Sequence, residues 1–186
     1  MTTLARLEEL RKEYLSIVGT EFIQQDLTEV AQVVDYIGDK RFSYYVDIGL
    51  ARAGSVWLYA NTICEPGATL LGIDVVVTEA ALIILKVLKE RGFTIDTIQR
   101  PAIRCVADVK DDIELLHIDA QHSYAAVSEE YWAYSRKVKD GGVVLLHDTM
   151  LHEGCIKFRQ ELENNKCNIT TFGIEGKALG ISVIQK

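Results

Sequence analysis

Two groups of acids and imidazoles stand at the ends of two apolar runs, and their residue types could move a proton or bind a cation. Asp119 and His122 follow the first run, and His147 and Asp148 end the second. A helical segment lies between the runs, so residues 113–149 predict a βαβ unit. Because the strands of such a unit deliver their carboxyl ends to one edge of the sheet, the two groups are expected to converge although about 25 residues separate them.

The two groups predict two kinds of chemistry. An imidazole titrates near neutral pH, so His122 is the candidate general base. Its alternatives are to cap the following helix or to bond a backbone carbonyl. Asp119, His147 and Asp148 offer two carboxylates and an imidazole, which form a partial shell for a divalent cation such as Mg²⁺, completed by water and substrate oxygens. The alternative is a metal-free hydrogen-bonded cluster, and in either case both acids line the site.

A glycine turn follows the first predicted strand, where doubly wound folds bind nucleotides. From Asp47 to Ser55 the sequence reads DIGLARAGS. Gly49 permits a tight turn, and Gly54 lets the backbone approach a ligand. The dinucleotide fingerprint G-x-G-x-x-G and the Walker lysine are absent. The turn alone is therefore weak evidence for a nucleotide, and a plain tight strand–helix connection is its alternative.

An acid after the second predicted strand strengthens the nucleotide interpretation. Asp74 ends the run LLGID about 25 residues after Gly49, where such folds place an acid on ribose hydroxyls. A solvated or helix-capping aspartate is the alternative. Together the turn and the acid favour an adenosine-type ligand, and the missing third glycine suits a ligand without pyrophosphate better than NAD.

The pattern along the chain predicts one domain with a doubly wound, Rossmann-like α/β sandwich of about seven strands, mostly parallel, with an antiparallel pair at the C-terminal end. Two helices (4–18 and 27–37, the second stopped by Gly38) occupy residues 1–40, and the core occupies 41–186. These helices either cover the mouth of the site or close one face of the sheet. The predicted strands of the core include 43–48, 69–74, 94–99, 169–172 and 179–184, and its helices include 56–63, 78–92 and 152–162.

Local signals predict the boundaries of these elements. Ser55 and Thr78 are placed to cap helices. Pro66-Gly67 marks a loop, the Lys-Asp-Gly-Gly sequence at 139–142 marks a turn, and residues 173–176 join the last two strands as a hairpin.

Composition limits the partners. A net charge of -7 argues against nucleic acid, because phosphate binding needs clustered Lys and Arg. The N-terminus has no apolar signal core, and the longest apolar run, 80–85, is too short to span a membrane. Four cysteines without CxxC pairing predict reduced thiols rather than disulfides or zinc. We expect a soluble, cytoplasmic protein that acts on a small molecule; a homodimer is compatible with this size, but the sequence singles out no interface.

Several other histidines and aromatics have structural interpretations. His117 points to the same face of its strand as Asp119 and is expected to be a hydrogen-bonded core histidine. His152 begins the next helix, and nothing specific in the sequence assigns it to the site. Trp57 is expected in the core, and the aromatics of the central helix are expected mostly to pack, with a sugar platform as the alternative.

Five segments carry a resemblance to a known family. They read YYVDIGLARAGS, LLGID, IELLHIDAQHSYAAV, VKDGGVVLLHDT and GKALGISV, and they span about residues 40–186. The chain resembles the class I S-adenosylmethionine-dependent methyltransferases, and within them a small group linked to sugar and glycan O-methylation. The central signature, IDxxHSY followed by GGxxxxHDT, is the most specific part.

The resemblance implies roles for individual residues. Asp47 would hold the methionine amino end of the cofactor, and Asp74 would take the ribose hydroxyls. The turn Gly49–Ser55, which includes Arg52 and Gly54, would wrap the cofactor, with Asp119 beside it. Ala53 stands where a glycine is usual, and residues 100–108, by the adenine, are the least family-like part.

The resemblance also bears on the metal. Related metal-dependent O-methyltransferases place an acid at the position of Asp119 and an Asp-Asn pair where His147-Asp148 stand here. A histidine in place of an acid makes magnesium less favoured and a softer ion, or no ion, more favoured.

The sequence thus predicts an S-adenosylmethionine-dependent O-methyltransferase for a small hydroxylated acceptor, with a sugar or glycan precursor as one option. Methyl transfer to oxygen requires placement of the acceptor and removal of its proton. His122 is the predicted base, and Asp119 and Asp148 complete the catalytic group. An NAD-linked oxidoreductase and a non-catalytic Rossmann-like binding module are the alternatives.

Overall fold

A single seven-stranded sheet with helices on both faces organises the chain in the computed structural model, which describes residues 1–19, 23–174 and 179–186. The strands are β1 (Phe42–Ile48), β2 (Cys64–Asp74), β3 (Thr94–Gln99), β4 (Ile113–Ile118), β5 (Val138–Leu146), β6 (Ile169–Phe172) and β7 (Ile181–Gln185). The helices are α1 (Thr3–Val18), α2 (Leu27–Ile37), α3 (Gly54–Ala60), α4 (Glu79–Glu90), α5 (Tyr124–Tyr134) and α6 (Glu153–Asn164). Short 3₁₀ turns follow β3 and α5.

The strand order is β3-β2-β1-β4-β5-β7-β6. The pairs from β3 to β5 are parallel, whereas β7 runs antiparallel to both β5 and β6. This confirms the predicted doubly wound sheet with its antiparallel C-terminal pair. The chain reverses its direction of winding between β1 and β4, so their carboxyl ends border the crevice where ligands bind in such folds.

Two apolar layers hold the helices to the sheet. Helices α1 to α4 share one layer with the side chains of one sheet face, and α5 and α6 share the other. Leu10 and Tyr14 of α1 are fully buried, and the indole Nε1 of Trp57 donates to the Leu10 carbonyl at 2.8 Å. The N-terminal helices therefore close one face of the sheet, and Trp57 lies in the core as predicted.

Helix boundaries follow their capping residues. Gly38 ends α2, and the Thr78 hydroxyl accepts from the backbone N–H of Ala81 at the start of α4, as predicted. The prediction of Ser55 as a cap is wrong, because α3 begins earlier, at Gly54. The cap position is Ala53, which has no side-chain cap, and the Ser55 hydroxyl is used elsewhere.

Two predicted loops are bulges inside strands. The register with β1 jumps from Phe42↔Cys64 to Tyr44↔Thr69, so Pro66 and Gly67 lie in an unpaired bulge of β2. A similar jump in β5 contains the predicted 139–142 turn. Proline cannot donate to a ladder and is tolerated at such bulges. The proline and glycine signals thus marked real interruptions of the strand pairing. However, β2 and β5 each begin before the interruption and not after it.

The remaining boundary predictions differ in small ways. Helix α3 ends at Ala60 rather than 63, and the last strand begins at Ile181 rather than 179. Of the predicted hairpin loop at 173–176, residues 175 and 176 lie outside the described residues. All four cysteines are free. In the described part of the chain, no helix is both long and apolar enough to cross a membrane.

Candidate active site

A cavity of about 1050 Å³ lies at the carboxyl edge of the sheet, over the ends of β1 and β4. Its walls come from the 49–55 turn, the ends of β2, β4 and β5, the 101–103 turn and the first turns of α5. Ligand sites of small molecules occupy roughly 300–1,000 Å³. The cavity therefore has room for a nucleoside-sized ligand together with a small second molecule.

The glycine turn and the first acid of the central unit are in contact through the backbone. Gly49 has φ of 95°, and a Cβ there would collide with the carbonyl oxygen of Asp119. The Asp119 N–H donates to the Ile48 carbonyl at 2.8 Å. Gly49 is thus required both by its backbone conformation and by the approach of β4. At Gly54, by contrast, a Cβ would meet Gln25 and Ile23.

Asp74 holds the same turn from the other side. One carboxylate oxygen accepts from the Ala51 N–H at 2.8 Å, and the other accepts from the Val76 N–H at 3.1 Å. Ala51 and Ala53 both have left-handed backbones, with φ of 45° and 60°. Each carboxylate oxygen can accept more than one bond, so Asp74, which lines the cavity, keeps acceptor capacity for ligand hydroxyls.

Asp47 lies behind the cavity wall in a buried polar network. Its Oδ2 accepts from the hydroxyls of Tyr45 and Ser55 and lies 3.1 Å from Nδ1 of His117. Its Oδ1 is buried without a partner. Of this network, Ser55 also lines the cavity, whereas Asp47 is only 1% exposed and does not. His117 is the predicted hydrogen-bonded core histidine.

The two predicted groups converge at the other end of the cavity. Nε2 of His122 lies 3.0 Å from Oδ2 of Asp148 and 3.5 Å from Oδ1 of Asp119. Nδ1 of His147 lies 3.1 Å from Oδ1 of Asp148 and 3.5 Å from Oδ1 of Asp119. The hydroxyl of Ser123, not the His122 ring, caps α5. The βαβ argument therefore located the cluster correctly.

The two histidines of the cluster differ in their environments. Burial by itself lowers the pKa of His147, but the neighbouring carboxylates of Asp119 and Asp148 outweigh it and raise that pKa to about 10. The bond to Asp119 and the charge of Asp148 also raise the pKa of His122, against a smaller effect of burial. Burial raises the pKa of Asp119, but His122 and His147 together lower it well below its usual range. His147 is consequently a buried cation at neutral pH, while His122 is half-exposed and open to the cavity.

This arrangement bears on the predicted metal set. The ligand atoms of Asp119, His147 and Asp148 lie within 4.8 Å of one another. However, the two carboxylates favour the protonated form of His147, and a protonated imidazole is not a ligand. Mg²⁺ also prefers oxygen ligands to imidazole. These three residues do not fit a magnesium ion.

Three residues of the site were not assigned from the sequence. Gln25, from the segment between α1 and α2, lines the cavity and donates from Nε2 to Oδ2 of Asp119 at 3.3 Å. His152 stacks on His122, with ring centroids 4.1 Å apart and planes 4° apart. Glu130 lines the cavity although it is 8% exposed. The spacing of His152 four residues after Asp148 was the available signal; for Gln25 there was none.

Within the described part of the chain, Glu130 forms no ion pair. Its Oε2 is buried and has no hydrogen-bond partner. Burial, and then the charge of Glu129, raise its pKa to about 7, although His122 acts in the opposite direction. Glu130 lies on the same helical face as Ala126, so the small side chain of Ala126 leaves room in front of it.

Comparisons with known proteins agree with this fold. Residues 46–149 match the family model of a methyltransferase domain. A candidate caffeoyl-CoA O-methyltransferase from Staphylococcus aureus superposes with a TM-score of 0.65 at 16% identity, over 97% of this chain and 91% of that one. A second neighbour is the O-methyltransferase TomG from Streptomyces achromogenes, which is involved in tomaymycin synthesis and was solved with S-adenosylmethionine. It superposes with a TM-score of 0.64 at 14% identity, over 98% of this chain and 88% of that one. An rRNA methylase from Streptococcus thermophilus superposes with a TM-score of 0.62 at 11% identity, over 89% of this chain and 98% of that one. No curated protein sequence matches significantly.

The fold and the cavity thus define a class I methyltransferase architecture. The matched model covers more than half of the chain, and the chain belongs to the methyltransferase-domain family. It is an S-adenosylmethionine-dependent methyltransferase, as the sequence predicted. The family membership speaks against the NAD-linked oxidoreductase and favours an enzyme over the non-catalytic module. The comparisons do not support the sugar and glycan subgroup.

Proposed function

We propose that the protein transfers a methyl group from S-adenosylmethionine to a hydroxyl of a small acceptor, without a magnesium ion. The observation that carries this proposal is the position of His122. Its ring opens to the cavity, and its Nε2 lies close to the carboxylates of Asp119 and Asp148. A half-exposed imidazole backed by two acids is suited to accept the proton of a hydroxyl.

The cofactor would occupy the half of the cavity formed by the glycine turn. We assign the ribose hydroxyls to Asp74, the adenine to the wall at 101–103, and the methionine end to the region of Ser55 and Gln25. Both of these polar residues line the cavity, and the buried Oε1 of Gln25 has no partner. Asp47 would act through Ser55, to which it is hydrogen-bonded. The turn residues Gly49, Arg52 and Gly54 would surround the cofactor.

The chemical step needs few groups from the protein. When bound, S-adenosylmethionine supplies a methyl group on a positively charged sulfur. During transfer of this methyl group to the acceptor oxygen, the acceptor proton would pass to Nδ1 of His122, because Nε2 already carries a proton that it donates to the ionised Asp119. Asp119 and Asp148 stabilise the resulting imidazolium. The buried His147 ring lies behind both acids, with its Nδ1 3.5 Å from Asp119 Oδ1 and 3.1 Å from Asp148 Oδ1, and so packs them on the side away from the cavity.

The charges of the cavity restrict the acceptor. Among the described residues that line it are five carboxyl groups, those of Asp74, Asp119, Glu129, Glu130 and Asp148, against two positive charges, those of Arg52 and His147. Such a lining favours the positively charged cofactor and repels polyanions. We therefore propose a neutral or cationic hydroxylated acceptor, and disfavour coenzyme A thioesters and nucleotide-linked sugars. A neutral sugar remains compatible with this lining.

The test is a methyl-transfer assay with labelled cofactor in EDTA-containing buffer. A panel should pair neutral or cationic hydroxylated compounds with phosphorylated or coenzyme A-linked counterparts of the same core. The proposal expects an O-methyl product, identified by NMR, from the uncharged or cationic members. Methylation of nitrogen or carbon, a preference for the polyanionic members, or loss of all activity in EDTA would each contradict it.

A further inference from the structure

An unpartnered carboxyl faces the cavity from α5, the helix that begins beside His122. Glu130 lines the cavity, although it is only 8% exposed. Its Oε2 is buried and forms no hydrogen bond within the described part of the chain. We infer that Glu130 binds a protonated amine of the methyl acceptor, so that the substrate class is a hydroxylated amine. The substrate role rests on the proposed function, and it adds a specificity-determining residue to that site.

The charges around Glu130 leave its carboxyl short of positive partners. Among the described residues that act on it electrostatically, Glu129 is an acid and His122 is the one base. Burial raises the pKa values of Tyr134 and of the Cys155 thiol in α6, so these neighbouring groups stay neutral. A buried carboxylate is costly without a cation or hydrogen-bond donors beside it. An ammonium group of a ligand would supply both.

The geometry of α5 directs Glu130 toward the cavity and the base. Side chains of a helix tilt toward its N-terminus, so a residue covers the turn before its own Cα. For Glu130 that turn contains Ala126, which also lines the cavity and is too small to cover the carboxyl. Since a helix rises about 1.5 Å per residue, Glu130 lies roughly 10 Å along the axis from Ser123, the cap residue next to His122. A small acceptor would fit between them, with its hydroxyl at His122 and its amine at Glu130.

The carboxyl destabilises the fold, and its own contacts do not compensate. Burial, followed by the charge of Glu129, raises the pKa of Glu130 to about 7, so the folded protein disfavours the ionised form. A glutamine of the same shape would avoid this cost. Ionisable groups that are perturbed in this way and face a cavity are candidates for function. An ammonium group beside Glu130 would favour the ionised form, so ligand binding and ionisation are coupled.

The charge of the amine distinguishes it from a second hydroxyl. A neutral hydroxyl could donate one hydrogen bond to Oε2 of Glu130, but it would leave the negative charge uncompensated. A hydrogen bond between two charged groups is shorter and roughly twice as strong as one between neutral groups. The exposed Glu129 beside it adds to the attraction for a cation. An amine therefore uses this wall of the cavity more fully than a neutral group does.

The experiment compares matched hydroxylated compounds that differ in one amine. Tyramine and para-ethylphenol form one pair, and glucosamine and glucose form the other. Calorimetry measures their binding to the full chain saturated with S-adenosylhomocysteine, and labelled cofactor measures methyl transfer to each. In at least one pair, the amine member should bind at least about tenfold more tightly than its partner, as expected for a hydrogen bond to a charged group.

Two variants locate this preference on the helix. Glu130→Gln keeps the shape and removes the charge, so it should reduce the preference to less than about threefold. Binding of S-adenosylhomocysteine should not change. Glu129→Gln is the matched control, because it removes the same charge from an exposed position one residue away. This control should stay within about threefold of the wild-type preference, since exposed charges are screened.

A measurement on the unmodified chain does not depend on the variants. The ¹³C resonance of the Glu130 carboxyl follows its ionisation, and saturation with the tighter-binding amine should lower its pKa from about 7, whereas the amine-free partner should not. Equal affinities within both pairs, an equal loss of preference in the two variants, or an unchanged pKa would each overturn the inference. Absence of methyl transfer while the amine preference persists would count against the proposed function alone.

Discussion

Nε2 of His122 lies 3.0 Å from Oδ2 of Asp148, although the two residues follow different strands of the sheet. The contact exists because β4 and β5 are parallel neighbours whose carboxyl ends coincide, with Ile118 paired to Leu146. It joins a half-exposed imidazole to an acid whose other oxygen lies 3.1 Å from the buried ring of His147. The proposed proton transfer depends on this relationship.

Removal of the imidazole should abolish most of the catalysis and little of the binding. His122→Gln should lower kcat about 10²–10⁴-fold, the range for a lost general base. The dissociation constant of S-adenosylhomocysteine should change little, because the cofactor would be held by the other half of the cavity. Steady-state kinetics and calorimetry separate the two effects. A kcat within a few-fold of wild type would show that another group accepts the proton.

The unpartnered acid of α5 predicts a pH-dependent stability. The pKa of Glu130 is raised from 4.5 to about 7 in the folded protein. The native state therefore favours its protonated form, so this residue destabilises the fold progressively as pH rises from 4.5 to about 7. Glu130→Gln should raise the free energy of unfolding by up to about 3 kcal/mol at pH 8 and by much less at pH 4.5.

Urea unfolding at the two pH values measures this difference. Glu129→Gln is the control, since Glu129 is its exposed neighbour on the same helix. The control should show no comparable gain at pH 8. Equal effects of Glu130→Gln at both pH values would contradict the assigned pKa.

The close approach of the glycine turn to β4 makes Gly49 irreplaceable. Gly49 and Gly67 both have positive φ, 95° and 83°, but a Cβ meets the Asp119 carbonyl at the first and open space at the second. Gly67→Ala should cost about 1 kcal/mol through its backbone alone. Gly49→Ala should cost about 2 kcal/mol more and weaken S-adenosylhomocysteine binding. Similar losses of unfolding free energy in the two variants would show that the contact is not as close as described.

Ala51 stands in a conformation that glycine prefers. Its φ is 45° and its side chain is exposed, so Ala51→Gly removes backbone strain without removing packing. Glycine also adds entropy to the unfolded chain, which offsets part of this gain. The free energy of unfolding should therefore rise by about 0.5–1 kcal/mol. The same change at Ala125, exposed in α5, should instead destabilise by about 0.5–1 kcal/mol. Thermal unfolding of the two variants tests whether Ala51→Gly raises the stability while Ala125→Gly lowers it.

The sequence predicted the cluster because its geometry follows from topology. Once Asp119 and Asp148 are recognised as the ends of parallel strands, their convergence requires no knowledge of side-chain packing. The bulges of β2 and β5 were not predictable in the same way. Proline and glycine signal an interruption, but whether the strand resumes on the same neighbour depends on pairing with β1 and β4.

Contacts between distant segments also escaped the sequence. Gln25 reaches Asp119 from the link between α1 and α2, and nothing in its own neighbourhood announces a role. The charge of His147 depends on two carboxylates that only the fold brings near. The metal role predicted for His147 therefore stays a prediction, and the effect of the two carboxylates on its pKa could not be foreseen from the sequence.

The most direct test is a crystal structure of the full chain soaked with S-adenosylhomocysteine. We predict the ribose hydroxyls on the carboxylate of Asp74, the adenine against Ala102 and Ile103, and the sulfur facing the ring of His122. A ligand bound outside this cavity, or one whose sulfur points away from His122, would contradict the proposed site.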